Sequence, residues 1–143
     1  MKKVHLIVAR DYLQYGGYKG LNAGVYLIEI HEWSLDLFMR VKSYPYYNKK
    51  RKIKYSEQSI LNNILLEENE SDHYVVVPPD WFNSFYGYFI SHFMGGNKAS
   101  NFRKIKNDLK NNPNRYSKTN KQLRKEVLEY YDKPKEEQIE IQI

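Results

Sequence analysis

A chain of 143 residues suits one domain with a single core, and its 41% hydrophobic and 28% charged content excludes a disordered chain. The absence of cysteine excludes disulfides and thiolate metal sites while leaving the compartment open. The net charge is +6 and unevenly placed: Lys98 to Lys125 carries ten Lys or Arg against Asp108 alone, and Lys49, Lys50, Arg51, Lys52 and Lys54 form a second cluster.

Val4 to Val8 reads as a buried strand, because His5 and Arg10 interrupt the apolar stretch too early for a signal peptide. No run of about 18 apolar residues follows anywhere, so no membrane-spanning helix is expected. A Gly- and Tyr-rich loop (residues 11–20) leads to a second strand at Val25 to Ile30. Glu32 to Met39 is expected as a helix with Trp33, Leu37 and Phe38 near one face. Pro45 breaks the basic, Tyr-containing loop from Ser43 to Lys54.

Ser56 is placed as the N-cap of the next helix, with Glu57 in its first turn and Ile60, Leu61, Ile64 and Leu65 as its buried stripe. Tyr74 to Val77 is a short strand ended by Pro78 and Pro79, and Tyr88 to Phe93 another, stopped by Gly95 and Gly96. Two basic helices follow, one with Phe102, Ile105 and Leu109, the other with Leu123, Val127, Leu128 and Tyr131. The tail Gln138 to Ile143 alternates like an edge strand or a loose end. No internal repeat is present. Strands alternating with helices make this an α/β arrangement whose small sheet points to a partner supplied from elsewhere.

Four stretches carry candidate chemistry. They are Leu21-Asn22-Ala23-Gly24 with its strand and Trp33-Ser34; Glu57-Gln58-Ser59-Ile60-Leu61; Val77-Pro78-Pro79 with Asn83-Ser84; and His92-Phe93-Met94-Gly95. A glycine such as Gly24 or Gly95 lets a ligand approach the backbone, and Asn22 suits a turn. His92 suits a divalent cation or a satisfied turn position. Glu57 suits a helix first turn with or without further function. Trp81, Phe82 and Tyr86 suit stacking on sugar faces or core packing.

In this order and spacing, the four stretches resemble the later part of the family 34 glycosyltransferases, the mannosyl- and galactosyltransferases of the fungal Golgi. The resemblance covers roughly residues 4 to 96. It implies the C-terminal part of a GT-A (Rossmann-like) fold over residues 1–97, followed by a basic helical extension over 98–143. It also implies a retaining hexosyltransferase of the Golgi membrane that takes GDP-mannose or UDP-galactose and a glycan acceptor. Glu57 and Gln58 then correspond to the catalytic acidic-Gln pair, with Ser56 where the family commonly has another acid. Asn22, Gly24, Gly95 and Lys98 correspond to donor contacts, Lys98 one step later than the family's lysine. His92 corresponds to the ligand that completes a Mn²⁺ site.

The chain departs from the pattern in one decisive respect: no Asp-x-Asp occurs in it. Gly87-Tyr88 also stands where a Gly-Asp pair is usual. The expectation is therefore a truncated relative, inactive alone. Two other readings are open: a nucleic-acid-binding module built on Tyr46, Tyr47 and the basic runs, for which nucleic acid is the less favoured partner, and a non-catalytic subunit of a glycosyltransferase complex.

Overall fold

The computed structural model describes residues 4–11, 19–51, 53, 55–68, 70–83, 90–92, 97–113 and 118–142. Three strands form one mixed sheet: β1 (Leu6–Arg10), β2 (Leu21–Ile28) and β3 (Tyr74–Val77), in the order β2-β1-β3. β1 runs antiparallel to β2 and parallel to β3. Being central, β1 is buried from both sides, as its apolar run Leu-Ile-Val-Ala anticipates.

Alternate residues of the strands supply two cores. Leu6, Val8 and Val76 face α1 (Glu32–Tyr47) and α2 (Ser56–Glu67), packing with Leu37, Tyr44, Ile60, Leu61, Ile64 and Leu65. Ala9, Val75 and Val77 face the other way. There they meet Trp81 and Phe82 of the short helix α3 (Pro79–Phe82) and Tyr130 of α5 (Asn120–Tyr131). The sheet is thus covered on both faces, an α/β arrangement. Between α3 and α5 lies α4 (Lys98–Asn111). Among the described residues no helix is long and apolar enough to cross a membrane.

Four expectations change. The first helix does not stop before Pro45 but runs through it to Tyr47. Its end is held by Asn48, whose backbone and side-chain N–H groups both donate to the Tyr44 carbonyl, and by the Tyr44 hydroxyl, which meets Glu67, Arg51 and Asn63. Phe38 is 44% exposed rather than part of the buried face. Ser56 is not the N-cap of α2: it is the first helical residue, at φ 43°, and Tyr55 precedes it. The Ser59 hydroxyl instead accepts the Tyr55 N–H at 3.0 Å. Among the described residues the tail forms no strand. Ile141 is buried in the α1/α2 core, and the Gln142 carbonyl accepts from Asn62 at 3.1 Å. Most of the expected strand Tyr88 to Phe93 lies outside the described residues.

The pairing of β1 with β2 is interrupted. Val8 lies opposite Tyr26, yet the next residue, Ala9, lies opposite Asn22. Ala23, Gly24 and Val25 therefore bulge from the ladder. Bulges re-aim backbone groups, and this one stands at the carboxyl end of β1, where open α/β sheets bind ligands.

Candidate functional site

Asp11 follows directly on β1 and anchors a polar cluster at that end of the sheet. One of its carboxylate oxygens accepts from the Asn22 side-chain amide at 3.1 Å, the other from that of Gln58 at 3.1 Å. Both amides are oriented at their other end by backbone donors of the bulge. Asn22 Oδ1 accepts the Gly24 N–H at 2.8 Å, and Gln58 Oε1 accepts the Ala23 N–H at 3.0 Å. A backbone N–H only donates, so each amide has its oxygen on the bulge and its nitrogen on Asp11. Each amide nitrogen keeps a second N–H for another acceptor.

His92 closes the cluster from a different segment. Asn83 is fully buried; its Nδ2 donates to the Arg10 carbonyl at 3.1 Å, which leaves its Oδ1 to accept. His92 Nδ1 lies 2.9 Å from that oxygen and so carries the proton, leaving Nε2 with a free lone pair. Burial of the ring pushes its pKa below that of free histidine. Asp11 opposes this shift, and Lys98, at the start of α4, adds to it. The imidazole is therefore neutral at pH 7.

Gly24 explains how close these pieces come. A Cβ at position 24 would fall 2.2 Å from His92 Cε1, 2.7 Å from its Nε2 and 2.9 Å from Asn22 Oδ1. No other residue fits there without displacing the ring.

The structure thus brings Asn22, Gly24, Gln58 and His92 together around Asp11, with Lys98 in electrostatic reach. Glu57 is exposed and joins none of these bonds. Gly95 and Tyr86 lie outside the described residues. Trp81 and Phe82 are buried against the sheet and so pack rather than line a surface. Asp11 and Asn83 are the additions. A lone acid at the end of a buried strand was the available signal for Asp11, and Asn83 was visible only as part of a motif.

Among the described residues no three His, Asp or Glu side chains converge as metal ligands. In this cluster Asp11 is the carboxylate among the described residues, and each of its oxygens accepts one amide hydrogen. Compared with known protein families, characterised proteins and solved structures, the chain has no match.

Proposed function

We propose that this cluster is the sugar-facing part of a hexosyltransferase site of the family 34, GT-A type. The observation that supports the reading most is the assembly, from three separate segments, of Asn22 and Gln58 on the Asp11 carboxylate with Gly24 and His92 packed against each other beside them. In this reading the spare N–H groups of Asn22 and Gln58 donate to hydroxyls of the donor hexose, and His92 Nε2 accepts another. Asp11, held in place by the Asn22 and Gln58 amides among others, offers a preorganised negative charge to the positive charge that develops on the sugar carbon in an oxocarbenium-like transition state. Lys98, beside His92, faces the diphosphate. Glu57 stands exposed one residue before Gln58, next to the acceptor. If Mn²⁺ takes part, His92 Nε2 would be its ligand from this chain in place of that hydroxyl, and the carboxylates would come from whatever polypeptide carries the Asp-x-Asp.

It follows that the chain alone binds the donor without transferring it. The test is to incubate the purified chain with GDP-mannose or UDP-galactose, Mn²⁺ and a mannan oligosaccharide. Saturation-transfer NMR should show the hexose protons of one donor in contact, with no turnover. Turnover by the isolated chain would overturn the inactivity, and contact with neither donor would overturn the site assignment. A Golgi setting accompanies this reading.

A further inference from the structure

α1 is apolar on two sides. Trp33, Leu37, Val41 and Tyr44 face the core. Roughly opposite them, at about 100° per residue, Leu35, Phe38, Met39 and Tyr46 form a second stripe, and these are 62%, 44%, 66% and 73% exposed. A helix with apolar residues on both sides is ordinarily covered on both. Lys42 lies within the stripe, and Tyr47 at the end of the helix, with Lys49 and Lys50 just after it, is exposed beside Tyr46 around one open depression. The neighbouring acids are mostly occupied: Asp36 pairs with Arg40 at 2.7 Å and Glu67 with Arg51, leaving Glu32 at the stripe's amino end. Among the described residues no carboxylate pairs with Lys42, Lys49 or Lys50.

We infer that this face rests on an anionic phospholipid bilayer, with α1 lying in the plane of the surface. Leu35, Phe38 and Met39 reach the acyl boundary, Tyr46 and Tyr47 sit at headgroup level, and Lys42, Lys49 and Lys50 meet lipid phosphates. Charge and apolarity decide between occupants. A nucleic acid would match the lysines and tyrosines but leave Leu35 and Met39 in water. A two-fold-related second copy would bring the same three lysines to the interface from both sides. An anionic bilayer satisfies both halves of the surface.

Vesicle flotation of the full chain tests this, with phosphatidylcholine alone and with added phosphatidylserine, at low and high salt. Leu35→Glu/Met39→Glu and Lys49→Glu/Lys50→Glu are the variants; all four positions are exposed, and circular dichroism with thermal melting verifies that the folds are kept. The wild type should float with phosphatidylserine vesicles and lose binding with salt, and each double variant should bind at least about tenfold more weakly. No flotation with phosphatidylserine vesicles, or flotation unchanged in Leu35→Glu/Met39→Glu, overturns the inference. So does a wild-type dimer that the same variant dissociates. RNA binding that survives Leu35→Glu/Met39→Glu but not Lys49→Glu/Lys50→Glu, without lipid binding, also overturns it.

Discussion

Gly24 and His92 constrain each other closely, because a methyl group at position 24 has no space beside the imidazole. Gly24→Ala should displace the ring, destabilise the fold by about 1–3 kcal/mol as overpacking does, and shift the His92 ring signals in NMR; unchanged ring signals would contradict this geometry. His92 also gives the protein a pH dependence. Its proton affinity is lower in the folded chain than in the unfolded one. As pH falls below the free-histidine value of about 6.5, the unfolded chain takes up the proton first and stability is lost; above it that stability is fully present. Denaturation midpoints near neutral and mildly acid pH should therefore differ less in His92→Gln than in the wild type. The residues Asn22, Gly24, Gln58 and His92 were legible because each sits in a short motif with distinctive chemistry. Asp11 was not, since its partners come from a bulge whose existence depends on the register between β1 and β2.

At the scale of elements, the sequence reads well where local preference and burial agree. Tyr74 to Val77 is β-branched and aromatic throughout, and the observed strand has those bounds. It reads poorly where a tertiary contact overrides a local signal. Pro45 removes one N–H donor and normally ends a helix, yet the last turn of α1 is held by Tyr44 and Asn48. Pro45→Ala should restore that hydrogen bond and stabilise the chain by roughly 1 kcal/mol, whereas a loss of stability would mean that the turn is shaped around the ring. Asn62 is the opposite case, a buried polar residue in an apolar stripe. It accepts from Leu21 N–H at 3.0 Å and donates to Gln142. Asn62→Ala strands the Leu21 donor and should cost about 2 kcal/mol or more in denaturant unfolding.

Across the whole molecule, the two faces of the sheet are tied together by residues far apart in the chain. The Tyr130 hydroxyl donates to the Val76 carbonyl and accepts from Ile139 N–H at 3.0 Å, joining α5, β3 and the tail. Periodicity revealed α5 but could not reveal this bridge, nor that Ile141 crosses to the opposite core. Tyr130→Phe leaves both groups without their partner and should cost about 1–3 kcal/mol, with faster proteolysis of the tail. The same long-range assembly places Asp11, Asn22, Gln58 and His92 at one end of the sheet, and it is there that the proposed function is most exposed to refutation. The decisive measurement is an amide NMR titration of the full chain with GDP-mannose and with UDP-galactose. One donor should move the Asp11, Ala23, Gly24 and Gln58 signals together, with the shifts lost in Gln58→Ala. Shifts confined to the basic helices, or none with either donor, would contradict a sugar-nucleotide site at the carboxyl end of β1.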